Sequence, residues 1–189
     1  LSFFIQSEFM TSWKENVILV DANHLDNVCL QLIVLFERNI NRQLQKADLC
    51  HWIDCIALDG GMRHGENSTQ VIFIHSKDKK EFTNFTPGNF AEQLNAIAFK
   101  DSISEFEMSS YPVEDIVSKA DFFEQSLETI LSTENVKRVM VVADLDEYGP
   151  NIKKAVLKAE DKEVTLFSMA PSEERGYRQE ILGYSIISA

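Results

Sequence analysis

The sequence predicts a three-layer α/β domain with a mainly parallel central sheet. Short β-branched apolar runs, typical of strands buried on both faces, recur along the chain. Between them lie longer segments whose apolar residues recur every three or four positions, as in amphipathic helices. The 189 residues and 44% apolar content suit one core. We expect residues 10–189 to form a single domain and interpret residues 1–9 as an N-terminal extension, disordered or artefactual, without a role.

The first half of the chain is expected to begin with a strand at 17–21 and a long helix at 25–46. The strand is an apolar run that ends in Asp21, and the helix carries an apolar stripe spaced by three and four. Residues 51–58 and 71–74 are also predicted to be strands. The glycines between these two segments indicate a loop or hairpin, which favours antiparallel pairing of the second strand with the first.

The second half of the chain continues the alternation of strands and helices. In chain order we predict a helical run with Phe90, Leu94, Ile97 and Ala98 on one side, a half-buried strand at 103–108, a break at Tyr111-Pro112, a helix at 116–131, a strand at 138–143, a helix starting at Gly149-Pro150 and a strand at 164–167. The tail at 177–187 is ambiguous between a helix and an edge strand. Because β-α-β crossovers are right-handed, strand 17–21 is expected at the centre of the sheet with strand 138–143 close by.

The net charge of the chain is strongly negative. There are 30 acidic and 18 basic residues, which gives a net charge of -12. Such a charge promotes solubility and disfavours unassisted contact with phosphate backbones or anionic membrane surfaces. RNA is therefore disfavoured as a partner, a protein partner stays open, and nothing indicates an oligomeric state.

The cysteines and the hydropathy favour a cytoplasmic location. Cys29, Cys50 and Cys55 are odd in number, and each lies in or beside an apolar run, as expected of reduced cysteines that pack as small hydrophobes. Cys50-His51 and Cys55 lack the second ligand pair that a zinc site needs. No segment approaches the roughly 18 apolar residues of a membrane span, and the first residues make a poor signal peptide.

Acidic residues follow two of the predicted strands where each strand ends. Asp21 ends the first strand, and Asp144 and Asp146 follow the strongest one. Ligands bind outside the carboxyl ends of parallel strands, and Asp121, early in the helix leading into the strongest strand, is expected at the same edge. Converging carboxylates repel unless a cation or a raised pKa relieves them. We predict that these four aspartates hold Mg²⁺ or Mn²⁺, with Asn23 orienting a ligand or water.

Each of these residues also has a structural interpretation. A strand-end aspartate such as Asp21 is often a turn former or helix cap, and Asn23 would cap the long helix equally well. Asp121 lies early in an acidic helix, where the macrodipole favours negative charge whatever the function. Asp144 and Asp146 stand in an acidic loop that turn chemistry would also explain. Their spacing as a set is what points to a shared metal site.

Three motifs recur in an order that characterises a known family. They are Asp21-Ala22-Asn23 after a strand, Lys119-Ala120-Asp121 at a helix start, and Asp144-Leu145-Asp146 after a strand, with Tyr148 and Pro150 soon after. In these motifs the chain resembles the NYN branch of the PIN-like ribonucleases. The resemblance implies a Rossmann-like fold and metal-dependent hydrolysis of RNA. The catalytic residues that it implies are Asp21, Asn23, Asp121, Asp144 and Asp146.

Three functions are compatible with this pattern. The first is a nuclease that depends on Mg²⁺ or Mn²⁺ and hydrolyses RNA. The second is a non-catalytic PIN/NYN-like module for protein interaction or regulation, favoured by the negative charge and by Val142-Ala143, where the family usually has Ser-Gly. The third is a phosphoryl-transfer enzyme of another Rossmann-like class. The sequence has neither a glycine-rich dinucleotide loop nor a serine hydrolase elbow.

Overall fold

A central β-sheet with helices on both faces organises the chain, and a computed structural model describes residues 12–189 of it. The described residues form the strands β1 (Asn16–Asp21), β2 (Ala47–Asp48), β3 (Ser68–Ser76), β4 (Phe85–Thr86), β5 (Ile97–Lys100), β6 (Glu105–Val113), β7 (Arg138–Val142), β8 (Glu163–Ser168) and β9 (Arg178–Ile181). They form the helices α1 (Ala22–Ile40), α2 (Leu49–Asp59), α3 (Phe90–Gln93), α4 (Lys119–Leu131), α5 (Leu145–Lys158) and α6 (Leu182–Ser188).

The central sheet has 7 strands in the order β5-β6-β3-β1-β7-β8-β9, while β2 and β4 pair separately. Neighbouring strands of the central sheet are parallel, except that β5 runs antiparallel to β6. Numbered along the chain without β2, β4 and β5, the strands follow the 3-2-1-4-5-6 order of a doubly wound Rossmann-type sheet. The predicted α/β class with a mainly parallel sheet is confirmed.

Strand β1 lies at the centre of the sheet and is buried along its whole length. It pairs with β3 on one side and with β7 on the other. This confirms the prediction that strands 17–21 and 138–143 lie close together in the sheet. Ile18 and Val20 belong to a core layer with α1, α2 and α6, whereas Val17 and Leu19 belong to a layer with α4 and α5. Alternate side chains point to opposite faces, so a strand covered on both faces is apolar throughout.

The predicted strand at 51–58 is wrong, because these residues belong to α2. The helix begins after Asp48, whose side chain accepts a hydrogen bond from the backbone N–H of His51 at 3.1 Å. Trp52 and Ile56, one helical turn apart, are buried against the sheet layer. A short apolar run cannot be distinguished by periodicity from a segment of a buried helix.

Strand β3 contains the predicted strand 71–74, but the expected antiparallel pairing is wrong. The element before β3 is the helix α2, and β3 lies between β1 and β6, parallel to both. The helical run expected over 90–98 is also wrong beyond Gln93, where α3 ends. Ala96 adopts a left-handed backbone with φ 56°, which interrupts a helix, and β5 begins at the next residue.

The predicted strand at 103–108 corresponds to β6, but the break expected at Tyr111-Pro112 is wrong. β6 continues through this dipeptide to Val113. Strand β5 pairs with residues 105–108 of β6, so β6 is an edge strand beyond that point. Proline is tolerated on edge strands because its missing N–H breaks no hydrogen bond there.

Several element boundaries differ from the predicted ones for local reasons. α1 ends at Ile40 instead of residue 46, because Asn41 adopts a left-handed backbone and donates its N–H to the carbonyl of Glu37 at 2.8 Å. α5 begins at Leu145, before the start predicted at Gly149-Pro150, and it is kinked at Tyr148. The ambiguous tail contains both alternatives, the edge strand β9 followed by α6.

The prediction of an N-terminal extension concerns residues 1–9, which lie outside the described residues. Within residues 12–189, none of the helices has the length and apolar character that crossing a bilayer requires.

Candidate functional site

The carboxyl ends of β1 and β7 lie side by side and bring Asp21 and Asp144 to the same edge of the sheet. From β1 the chain passes through α1 and α2 to β3 on one side, whereas β7 and β8 lie on the other side. In doubly wound sheets, this change of direction opens a crevice in which ligands bind. The predicted edge is therefore where a functional site is expected.

Asp21 is completely buried, and all its polar contacts are internal. Its Oδ1 lies 3.1 Å from Nζ of Lys119, the first residue of α4. Its Oδ2 accepts a hydrogen bond from the hydroxyl of Tyr148 in α5. Oδ1 also accepts the backbone N–H of His24 at 3.1 Å, which makes Asp21 the N-cap of α1. The carboxylate thus joins β1, α1, α4 and α5.

Tyr148 is held in this network by the kink of α5. Its backbone departs from helical geometry, with φ -134° and ψ 22°, two residues before Pro150. Burial raises the pKa of Tyr148, and the charge of Asp21 and the hydrogen bond to it raise the pKa further. The hydroxyl therefore stays protonated at neutral pH and acts as the donor to Asp21.

His24 lies between the two strand-end carboxylates. Its Nδ1 is 3.9 Å from Oδ2 of Asp144, and its side chain is mostly buried. Burial, supported by the Lys119 charge, lowers the pKa of His24 below 6.5, against the opposing charges of Asp144, Asp21 and Asp146. The imidazole is therefore neutral at pH 7, and its contact with Asp144 is polar without being a full ion pair.

Asp144 and Asp146 lie at the surface around the start of α5. Asp144 is the N-cap of this helix and accepts the backbone N–H groups of Asp146 at 3.1 Å and Glu147 at 3.2 Å. All of these contacts use Oδ1, and Oδ2 faces His24. Asp146 is exposed in the first turn, where the helix dipole favours its charge. The capping interpretation of Asp144 thus holds, whatever further role it has.

A cavity of about 260 Å³ opens next to these two aspartates, beyond the ends of β7 and β8. Its polar lining includes Asp144, Asp146, Lys153, Ser168 and Gln179. Lys153 forms an ion pair with Glu174 at 3.0 Å, and Leu145, Leu166 and Met169 add apolar surface to the lining. The cavity therefore has mixed polar and apolar walls and carries both signs of charge.

Asn23 and Asp121 have other local roles. Asn23 accepts the backbone N–H of Ser76 through Oδ1 and donates to its hydroxyl through Nδ2, both at 2.9 Å. It thereby fastens the start of α1 to the end of β3. Asp121 is exposed in the first turn of α4, where the Ser118 hydroxyl accepts its backbone N–H.

The donors at this edge do not fit a shared divalent ion in the arrangement described. Mg²⁺ binds carboxylate oxygens directly at about 2.0–2.1 Å, and both oxygens of Asp21 are engaged by Lys119, Tyr148 and a backbone N–H. Within the part of the chain that the structure describes, no three acidic, histidine or cysteine side chains are grouped closely enough to hold a metal. The metal-ligand role of the four aspartates stays a prediction.

Sequence reasoning missed what Lys119 and Tyr148 do. The sequence places both near the family-like motifs but does not indicate that they contact Asp21. The signal for Lys119 was the need of a buried strand-end carboxylate for a counter-charge. No local signal identifies Tyr148, because its position depends on the kink in α5.

Comparison with known proteins identifies one family. The family described as "Family of unknown function (DUF6621)" matches residues 10–189. No curated protein and no solved structure matches the chain.

Proposed function

We propose that this chain, which belongs to the DUF6621 family, is a non-catalytic PIN/NYN-like module for protein interaction or regulation. One observation carries the proposal, namely the complete burial of Asp21 with both oxygens engaged by Lys119 and Tyr148. Asp21 already has a counter-charge, so the repulsion that would call for a metal ion is relieved internally.

The energetic barrier to metal binding supports this proposal. An ion at Asp21 would have to displace the Lys119 ammonium and the Tyr148 hydroxyl. The hydrogen bonds that Lys119 and Tyr148 donate to this charged group would be lost, each worth about 1.5–3 kcal/mol, and the fully buried carboxylate offers no exposed surface to an incoming ion. Asp21 acts instead as the anion of a network that holds α4 and α5 against β1.

The PIN/NYN-like part of the proposal is supported by where the motifs lie. Asp21-Ala22-Asn23 spans the end of the central strand β1, Lys119 and Asp121 open α4, and Asp144 follows β7. The order of the motifs along the chain is the one that the resemblance implies. A Rossmann-type strand order is compatible with it.

A metal titration tests the proposal. Thermal unfolding of the wild type and of Tyr148→Phe is measured without metal and with ~10 mM MnCl₂ or MgCl₂. A site with a Kd of ~1 mM would add about 1.4 kcal/mol of stability at that concentration, which raises Tm by roughly 3–6 °C. We expect no shift in the wild type. A shift in Tyr148→Phe alone would identify the hydroxyl as the group that blocks the ion.

The same samples are tested for cleavage of a fluorescent single-stranded RNA. The proposal is overturned if the wild type cleaves RNA in a Mn²⁺-dependent manner and Asp21→Asn abolishes the cleavage. It is also overturned if a metal-induced shift of the wild-type Tm disappears in Asp144→Asn. Arg63→Glu, a charge change in an exposed loop, serves as the control for non-specific effects.

A second candidate is an RNA-hydrolysing nuclease that depends on Mg²⁺ or Mn²⁺. The observation in its favour is the cavity at the carboxyl ends of the strands, whose lining includes the charged residues Asp144, Asp146 and Lys153. This function requires Lys119 and Tyr148 to release Asp21. The net charge of -12 disfavours RNA, and the RNA cleavage assay decides between the two candidates.

We also propose a cytoplasmic location. Its support is that Cys29, Cys50 and Cys55 are all free thiols. Burial raises the pKa of each of the three thiols, that of Cys29 to about 12, which favours the protonated thiol over the reactive thiolate.

A further inference from the structure

A groove of about 590 Å³ lies between the C-terminal half of α1, the loop at 41–47 and α6. Its apolar walls include Leu32, Ile33, Phe36 and Ile186. α1 begins after Asp21 and lines this groove only with residues from Cys29 to Ile40, so the groove is separate from the strand-end site. Its volume is in the range of pockets that bind ligands or side chains of a partner.

Apolar side chains at the rim of the groove are exposed. Ile40 at the end of α1 and Ile187 of α6, which both line the groove, expose 46% and 55% of their surface. Leu32, Phe36 and Ile40 stand four residues apart on the same face of α1 and span about 12 Å, or roughly two helical turns. Such an exposed apolar patch marks an interaction surface, and its length suits a short helical segment of a partner.

The groove is basic, although the chain as a whole is acidic. Arg42 and Lys46 line it, and no acidic side chain does. Among the described residues, neither of these two forms an ion pair with a carboxylate. Glu37, on the same stretch of helix, uses its carboxylate to accept the backbone N–H of Leu44 at 2.8 Å. Two cations are therefore available at the rim of an apolar groove.

We propose that this groove binds an acidic amphipathic helix of a partner protein. Apolar side chains spaced by three and four would enter the groove, and carboxylates beside them would pair with Arg42 and Lys46. A second copy of this chain fits less well, because a symmetric contact places the same basic patch on both sides. The proposal gives a partner to the interaction module proposed above and rests on it only in that respect.

A peptide-display selection tests the proposal. A library of random 16-residue helical peptides is selected on the wild-type chain, with Arg42→Glu as the counter-selection. We expect enrichment of peptides with net negative charge and apolar residues spaced by three and four. The selected peptide is then synthesised, labelled and measured by fluorescence anisotropy. Its affinity should fall about tenfold in Arg42→Glu and in Ile40→Asp, and it should also fall as salt is raised.

Control variants make each outcome decisive. Arg63→Glu makes the same charge change on an exposed loop and should bind like the wild type. Thermal unfolding confirms that each variant is folded. The proposal is overturned if no peptide is enriched, if the enriched peptides are not acidic, or if Arg42→Glu binds them unchanged.

Other occupants of the groove are separate outcomes of the test. A dimer in size-exclusion chromatography that Arg42→Glu or Ile40→Asp dissociates would show a second copy in the groove. A gain in peptide affinity when the chain begins at Met10 would show that residues 1–9 occupy it. The dimer would overturn the proposal, whereas the gain in peptide affinity would support it, because the acidic peptide then still binds the groove. None of these variants touches Asp21 or its partners, so failure here leaves the metal titration unaffected.

Discussion

Replacing Lys119 by methionine is expected to destabilise the fold by about 3 kcal/mol. Nζ of Lys119 lies 3.1 Å from the fully buried carboxylate of Asp21, while the lysine side chain is 24% exposed. Removing one partner of a buried ion pair costs about 3–5 kcal/mol, because the remaining charge stays desolvated. The lower end of this range applies, because the Tyr148 hydroxyl and the His24 N–H still donate to Asp21.

Urea unfolding followed by far-UV circular dichroism measures this loss directly. A loss of about 3 kcal/mol corresponds to a Tm lower by roughly 6–12 °C in a chain of this size. The double variant Lys119→Met with Asp21→Asn should lose about 2 kcal/mol less unfolding free energy than the two single variants lose in sum. The reason is that the double variant no longer contains an unpaired buried charge. Lys77→Met is the matched control, because its pair with Asp115 is at the surface, and it should leave Tm nearly unchanged.

Two results would refute this reasoning. One is a loss below about 1 kcal/mol for Lys119→Met, because a buried carboxylate cannot lose its counter-charge at so small a cost. The other is additivity of the two substitutions, because residues in direct contact should show coupling.

Three further predictions concern the buried polar groups. Tyr148→Phe leaves Oδ2 of Asp21 without its donor and should lose about 1–3 kcal/mol in urea unfolding; the exposed Tyr184→Phe should be neutral, and equal losses would contradict the assignment. The pKa of His24, followed by NMR, should lie below 6.5 because of burial, so the stability from the neutral imidazole is present above pH 6.5 and is lost as the pH falls. Asp144→Asn should lower the pKa of His24 further, and a rise of this pKa would count against the contact between the two side chains. Burial and a hydrogen bond with Asp101 raise the pKa of Asp54 from 3.8 to about 7, so its stabilising effect is complete below pH 3.8 and is lost as the pH rises through 7; stability should fall less between pH 5 and pH 7.5 in Asp54→Asn than in the wild type, and identical slopes would rule this out.

Much of the sheet could be predicted because its central strands are buried on both faces. Residues 17–20 of β1 and 139–142 of β7 are all apolar, and each run leads into an aspartate, so their place and the position of Asp21 and Asp144 at one edge followed from local pattern. α2 shows where this reasoning fails. Its residues are nearly as apolar as a strand, and only the cap at Asp48 distinguishes it as a helix.

The chemistry at the edge was less predictable than its location. A set of acidic strand ends is equally consistent with a metal site and with a carboxylate neutralised by the protein itself. Distances between atoms decide which applies, since a cation of the chain within about 4 Å relieves the same repulsion that an ion would relieve. In this chain the cation is Lys119, at 3.1 Å from Asp21.

The order of the motifs, the net charge and the buried strands are determined by the sequence alone, since they depend on which residue types follow one another. The partners of Asp21 are determined only by the tertiary structure. Lys119 stands 98 residues from it and Tyr148 stands 127 residues from it. Both reach the carboxylate only because α4 and α5 pack on the same face of the sheet and α5 is kinked. Long-range packing therefore places Asp21 at the centre of an internal ion-pair network, which the sequence did not indicate.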